Sequence, residues 1–194
     1  MSSPSDPELR IVRELDGISP RRADFDSWFL GAGAAGLRAL LRHWLLIANL
    51  VNGLLLLGAV AVPLMRAAGW GGVAGSIFSA YRLICFQNPE HSYFLLGYQL
   101  AMDQRMMALY GSSLLAGLAF VALRNRLSPL PWRLFFLMAL PIALDGFTQL
   151  FGWRQSGWEL RTLTGGLFGV ATVWLAYPHL DRIAFASTPA RRDP

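Results

Sequence analysis

Residues 44–65 read WLLIANLVNGLLLLGAVAVPLM and contain no charged side chain. An apolar stretch of about 20 residues is long enough to cross a bilayer as a helix. Three later stretches have the same character: 106–123 and 162–180 carry no charge, and 134–151 carries Asp145 alone. We therefore predict an all-α fold, a polytopic membrane protein with four transmembrane helices.

The composition supports a membrane protein. Hydrophobic residues make up 54% of the chain and charged residues 15%, against about 25% charged residues in an average soluble domain. This composition disfavours a soluble enzyme and a disordered chain. Cys85 is the single cysteine, which excludes an intramolecular disulfide and a cysteine-based zinc cluster within one chain.

The arginines predict the orientation. Twelve of the 17 lie in residues 1–43, 124–133 and 181–194, and only five in 66–105 and 152–161. Because basic residues concentrate on the cytoplasmic side, we expect both termini in the cytoplasm of a bacterium or archaeon and the protein in its inner membrane. No basic run interleaved with aromatics suggests a nucleic-acid partner.

The chain divides into four predicted parts. Residues 1–27 are polar and proline-rich, typical of a loose cytoplasmic tail. Residues 28–43 mix apolar positions with Arg38 and Arg42, which predicts an interfacial helix or an extension of the first span. Residues 44–180 form the four-helix membrane domain, in which Gly165 and Gly169 form a helix-packing G-x-x-x-G. Residues 181–194 are a second cytoplasmic tail.

The extracytoplasmic loop 66–105 is too long for a plain connection, and loops of that length are usually functional or disordered. It is rich in aromatic and aliphatic residues, so we expect it to be ordered. We predict a short helix over 73–84 on the outer surface. Residues 85–105 would fold back as a loop cap over the mouth of the bundle.

Polar side chains gather on the predicted outer side. Asp145 is the only acid in any span, and Gln149 lies one turn further on the same face. Because an intramembrane carboxylate normally finds a partner, we predict that Asp145 pairs with Arg105 or Arg161. The candidate ligand-binding or polar-network residues are Cys85, Gln87, His91, Ser92, Gln99, Asp103, Arg105, Asp145, Gln149, Arg154, Arg161 and Thr164.

Four short runs occur in order: C-x-Q-x-P-x-x-S at 85–92, G-x-Q at 97–99, D-G-x-x-Q at 145–149 and L-R-x-x-T-G at 160–165. With these runs the chain resembles the domain of unknown function 2085 family of predicted membrane proteins, over about residues 74–177. The last two runs also resemble VanZ-like membrane proteins. The first resemblance implies a membrane protein with an outer-face polar site and brings no activity.

The chain departs from that family pattern at several possible metal ligands. Phe86 stands where the family has histidine, His91 where it has arginine, and Asp103 and Met106 replace the two cysteines of a C-x-x-C. Because a closed zinc site needs four nitrogen or sulfur ligands, we expect no metal and no cofactor.

Three functions remain open at this point. The first is a binding or accessory membrane protein that holds a lipid, a quinone-like headgroup or a partner membrane subunit. The second is an enzyme acting on an anionic lipid headgroup, with arginines binding the phosphate and Asp145 or His91 as general base. The third is a proton or ion path through Asp145. No P-loop or H-E-x-x-H motif supports an enzyme, so we favour the first.

Overall fold

The computed structural model describes residues 20–186 and is mostly helical. Contacts group residues 44–186 into one compact unit, and the described residues 20–43 are assigned to a second unit. The helices are α1 (Pro20–Ala67), α2 (Gly71–Ala80), α3 (Gln104–Leu123), α4 (Trp132–Leu150) and α5 (Trp158–Ala186). Between α2 and α3 the strands β1 (Ser92–Leu95) and β2 (Tyr98–Asp103) form an antiparallel hairpin.

Three helical segments of the described chain are long and apolar enough to cross a membrane: Ala39–Ala67, Gln104–Leu123 and Trp132–Leu150. At most 17% of the apolar window of each is buried in the protein, so most of their surface is left for lipid. The protein is therefore a multi-pass membrane protein. The fourth predicted span lies within α5, whose glycine, threonine, proline and histidine residues lower its mean hydropathy, and it stays a prediction.

Helix α1 begins at Pro20, inside the segment predicted as a loose tail. Proline is favoured at the first position of a helix because its fixed φ suits that position. Residues 28–43 continue as a helix without a break into the first apolar stretch, and their role as an extension of the first span stays a prediction. An interfacial position for these residues also stays a prediction, and residues 1–19 and 187–194 lie outside the described residues.

The hairpin corrects the all-α prediction. The predicted helix over 73–84 is present as α2 followed by a 3-10 turn at Tyr81–Leu83. The next segment, however, contains a 3-10 turn at Pro89–His91 and then the two paired strands. The turn between the strands is Leu96-Gly97, and it lacks the Asn-Gly or Asp-Gly pair that marks a hairpin in a sequence.

Helix α5 packs against both α3 and α4 and is the most deeply packed helix of the described bundle. Its G-x-x-x-G motif explains the close contact with α3. A Cβ on Gly165 would overlap the backbone oxygen of Arg105, and one on Gly169 would overlap that of Leu109. Small residues allow this approach of two helix backbones, and it brings Arg105 next to α5.

The other end of the α3–α5 pair is held by polar contacts. Arg124 Nη2 lies 2.6 Å from Asp181 Oδ1, and the indole of Trp174 donates to the oxygen of Ser128 at 3.1 Å. The α3–α5 contact is therefore fixed at both ends.

Helix α1 joins the bundle through two apolar clusters. At one end Trp44 packs edge-on against Tyr177, with ring centroids 5.0 Å apart. At the other end Ala59 and Val62 pack against Tyr81, whose hydroxyl donates to the oxygen of Leu55 at 2.6 Å. The second cluster holds the segment after α2 in place, and that segment carries the first family run.

Candidate functional site

The sulfur of Cys85 lies at the centre of the loop between α2 and α3. It accepts hydrogen bonds from the backbone N–H of Gln87 at 3.5 Å and of Asp103 at 3.3 Å. The thiol donates to Asp103 Oδ2 at 3.4 Å. Burial raises the pKa of the Cys85 thiol; its backbone N–H contacts oppose this rise and the Asp103 carboxylate adds to it. The thiol is therefore a neutral structural donor at physiological pH.

Two glutamine amides connect the strands to the preceding segment. The side chain of Gln87 donates to the oxygens of Phe78 at 2.7 Å and Ala101 at 2.9 Å. The side chain of Gln99 donates to the oxygen of Gln87 at 2.8 Å and to Ser92 Oγ at 2.9 Å. We call Cys85, Gln87, Ser92, Gln99 and Asp103 the hairpin base.

Asp103 connects the hairpin base to helix α3. Its Oδ1 accepts from the backbone N–H of Met106 at 2.8 Å, which makes it the N-cap of α3. Such a cap satisfies one of the free N–H groups at a helix start. It fixes Arg105 in the first turn of α3, beside α5.

Asp145 in α4 is 5% exposed and both its oxygens are occupied. Oδ2 forms an ion pair with Arg105 Nη2. Oδ1 accepts from the hydroxyl of Ser156 and lies 3.4 Å from Arg154 Nη2. A polar group this deeply buried costs free energy unless it has hydrogen-bond partners of this kind.

Gln149 extends this network to α5. Its amide donates to the backbone oxygen of Asp145 and to Ser156 Oγ, both at 2.8 Å. Its oxygen accepts from Arg161 Nη2, and Arg161 Nε donates to the backbone oxygen of Ser156 at 3.3 Å. Arg161 is buried and has no carboxylate within ion-pair distance among residues 20–186. We call Arg105, Asp145, Gln149, Arg154, Ser156 and Arg161 the arginine cluster.

A cavity of about 200 Å³ opens beside the cluster. Asp145, Arg154, Thr148 and Thr164 provide its polar groups, and Pro141, Leu144 and Leu160 its apolar wall. Thr164 Oγ1 donates to the oxygen of Leu160 at 2.8 Å. The side chain of Arg154 is 51% exposed, whereas that of Arg105 is 21% exposed. Arg154 is therefore the guanidinium that solvent or a ligand reaches most easily.

The structure brings eleven of the twelve candidate residues into the hairpin base, the arginine cluster and the adjoining cavity. Asp145 pairs with Arg105, one of its two predicted partners, and Arg161 joins through Gln149. His91 is the exception, because its side chain forms no hydrogen bond with any residue that the structure describes. Its ring lies at the end of the 3-10 turn before β1.

Sequence reasoning missed two members of these networks. Ser156 bonds Asp145 but lies in the connection between α4 and α5, where no helical periodicity marks it. Gln104 is buried in the first turn of α3 and donates to the oxygen of Ser92 at 3.4 Å. Within residues 20–186, no three His, Cys, Asp or Glu side chains are grouped to hold a metal ion.

The model of the family described as predicted membrane protein (DUF2085) matches residues 85–175 of this chain. An uncharacterized protein of Methanocaldococcus jannaschii is 33% identical over 112 residues, which cover 56% of this chain and 71% of that protein. This chain belongs to the DUF2085 family. A second uncharacterized relative of the DUF2085 chain, from Methanothermobacter thermautotrophicus, is 28% identical over 102 residues, covering 52% of this chain and 92% of that protein. No solved structure matches the chain.

The DUF2085 match contains both the hairpin base and the arginine cluster. It supports a membrane protein and assigns no chemistry to either set.

Proposed function

We propose that this DUF2085 protein is a binding or accessory membrane protein whose arginine cluster holds the anionic headgroup of a lipid. The observation that carries the proposal is a contrast within the cluster. The carboxylate of Asp145 is closed by its partners, whereas Arg154 is half exposed at the mouth of the cavity.

The closed carboxylate favours binding over catalysis. A general base needs a free oxygen or nitrogen within hydrogen-bond reach of the substrate proton. Asp145 Oδ2 is occupied by Arg105 and Oδ1 by Ser156 and Arg154. The other candidate base, His91, belongs to neither network. These observations give no support to the alternative of an enzyme acting on the headgroup.

The charge balance of the cluster favours an anion. The cluster contains three guanidiniums and one carboxylate. Arg105 and Arg154 pair with Asp145, whereas Arg161 is bonded to the neutral groups of Gln149 and Ser156. Arginine binds phosphate or carboxylate through charge-assisted, often bidentate hydrogen bonds. An anion in the cavity would accept such bonds from Arg154, and the Thr148 hydroxyl also lines the cavity.

The proposal includes a fourth span formed by α5 and an outward-facing cluster. Helix α5 has 29 residues and buries one face against α3 and α4. A helix shielded by protein needs less apolar surface than one surrounded by lipid. The arginine distribution supports cytoplasmic termini. Alkaline phosphatase fused after Gly72 should then be active and after Arg126 inactive; the reverse result contradicts the orientation.

Native mass spectrometry of the protein in mild detergent tests the ligand. We expect the unmodified protein to retain an anionic lipid and Arg154→Gln to lose it. Arg82→Gln is the matched control, because Arg82 is also an exposed arginine outside the long helices but lies outside the cluster, between α2 and α3. Equal lipid retention in all three proteins contradicts the proposal. Conversion of added lipid by the unmodified protein would instead indicate the enzyme.

A further inference from the structure

The turn of the hairpin contains a leucine in an unfavourable backbone conformation. Leu95 pairs with Tyr98 across a two-residue turn of Leu96 and Gly97. Their φ angles are +54° and +79°, the pattern of a type I′ turn, which favours Asn-Gly. A bulky residue with positive φ is rare because its Cβ crowds the backbone. Local propensity alone would not select leucine here.

The same turn also exposes apolar side chains. Phe94 and Leu96 are 57% and 64% exposed, and Leu95 and Tyr98 are exposed as well. Residues 93–102 include no charged side chain. Hairpin turns that face water normally carry polar residues and glycine. The turn is thus unfavourable twice, in its backbone and in its exposure to water, and such strain points to a functional contact.

The tip is held in a fixed place by the other end of the hairpin. Hydrogen bonds of Ser92 in β1 and of Gln99 and Ala101 in β2 connect both strands to the preceding segment. The hydroxyls of Tyr93 and Thr162 lie 2.7 Å apart, which ties β1 to the start of α5. Trp158 is the first residue of that helix and Trp153 lies just before it, and both are exposed. The tip therefore belongs to the end of the bundle where tryptophans gather, as in an interfacial belt.

We propose that the tip, residues 94–98, inserts into the lipid interface of the bilayer at this end of the bundle. This contact is independent of the proposed anion site. The side chains of the tip are leucine, phenylalanine and tyrosine without any charge, and this composition suits the boundary between headgroups and acyl chains.

A second copy of the chain is a less suitable occupant. Four exposed side chains are few against the about 20–30 residues a side of a stable protein interface. The bilayer, in contrast, already covers the neighbouring helices and needs no complementary shape.

Spin labels on the full-length protein test the insertion. Leu96→Cys and Glu90→Cys are labelled and reconstituted in vesicles of phosphatidylethanolamine and phosphatidylglycerol. Glu90 is the matched control, since it is an exposed, charged residue of the same loop. Labelling of the unsubstituted protein measures any reaction of the label with the buried Cys85. We expect the label at 96 to be relaxed more by oxygen than by a water-soluble nickel complex, and the label at 90 to show the reverse. Equal nickel accessibility at both positions overturns the proposal. Dipolar broadening between the labels at position 96 of two copies of the chain also overturns it, because it would show that a second copy covers the tip.

A second variant separates lipid contact from turn stability. Leu96→Asn introduces the residue that a type I′ turn prefers. The melting temperature of this variant in detergent should therefore be equal to or higher than that of the unmodified protein. With a label at Phe94→Cys, the same substitution should increase nickel accessibility in the vesicles. If the label at 94 stays as lipid-exposed as before, Leu96 does not anchor the tip and the proposal is wrong.

Discussion

The hairpin base and the arginine cluster both contain residues of the family runs, yet they are built from different chemistry. The hairpin base consists mainly of neutral groups that bond to backbone oxygens, as in the contacts of Gln87 and Gln99. The cluster is built around charged side chains that pair with one another, as Asp145 and Arg105 do. A neutral bond can be lost alone at moderate cost, whereas a buried charge is tolerated only with its partner.

The largest effect is expected from Asp145→Asn. The substitution keeps the shape of the side chain and leaves Arg105 without its carboxylate. Loss of one partner of a buried pair typically costs about 3 to 5 kcal/mol. The melting temperature in detergent should fall clearly below that of the unmodified protein.

The comparison with Arg105 and Arg154 sharpens this result. Combining Asp145→Asn with Arg105→Gln should cost less than the sum of the two single substitutions, because the two residues share one interaction. Arg154→Gln should cost little on its own, since that side chain is half exposed. Full additivity between Asp145 and Arg105 would show that their ion pair does not hold the cluster.

The next largest effect is expected from Gly165→Ala, which would displace Arg105, a member of the arginine cluster. The added Cβ would overlap the backbone of Arg105 and push α3 away from α5. Overpacking of this kind costs about 1 to 3 kcal/mol. Gly166→Ala is the control, because a Cβ there meets nothing within 4 Å. If both variants melt at the same temperature, the close contact of the two helices is not required.

A smaller and more local effect is expected from Gln99→Leu in the hairpin base. It removes bonds to Gln87 and Ser92, each worth about 0.5 to 1.5 kcal/mol net. Hydrogen exchange should rise in residues 85–103 and stay unchanged in α4. Faster exchange throughout α4 would show that the two sets of residues act as a single network.

The smallest effect is expected at alkaline pH, where ionisation of the Cys85 thiol should lower the stability of the protein. Its thiol has a raised pKa in the folded protein because it is buried. The neutral thiol therefore adds stability that is fully present below the unfolded-state pKa and is lost as the pH rises through the folded-state pKa. The melting temperature of the unmodified protein should fall towards that of Cys85→Ala in alkaline solution. A difference that widens with pH would contradict this sign.

The charged set was the easier of the two to predict. A buried acid requires a cation, and the order of the spans leaves Arg105 and Arg161 as partners for Asp145, so the pairing follows from few residues. Ser156 could not be found in this way, because a hydroxyl in a connection between helices has neither periodicity nor charge to mark it.

The neutral set was harder to predict because its geometry depends on the hairpin. Gln87, Ser92 and Gln99 meet only after β1 and β2 have paired, and Leu96-Gly97 gives no recognisable turn signal. The apolar helices, in contrast, follow directly from the length and hydropathy of their stretches. Helix α5 is intermediate, because the glycines that let it pack also weaken its resemblance to a span.

The central packing of α5 has a consequence for biogenesis. On the four-span arrangement, α1, α3 and α4 expose enough apolar surface to leave the translocation machinery and enter lipid one at a time. Helix α5 is synthesised after them and carries Arg161 and the paired glycines on the face that it later buries. On that arrangement, its transfer into the membrane would become favourable once α3 and α4 can cover that face. Insertion and folding of α5 would then be a single event.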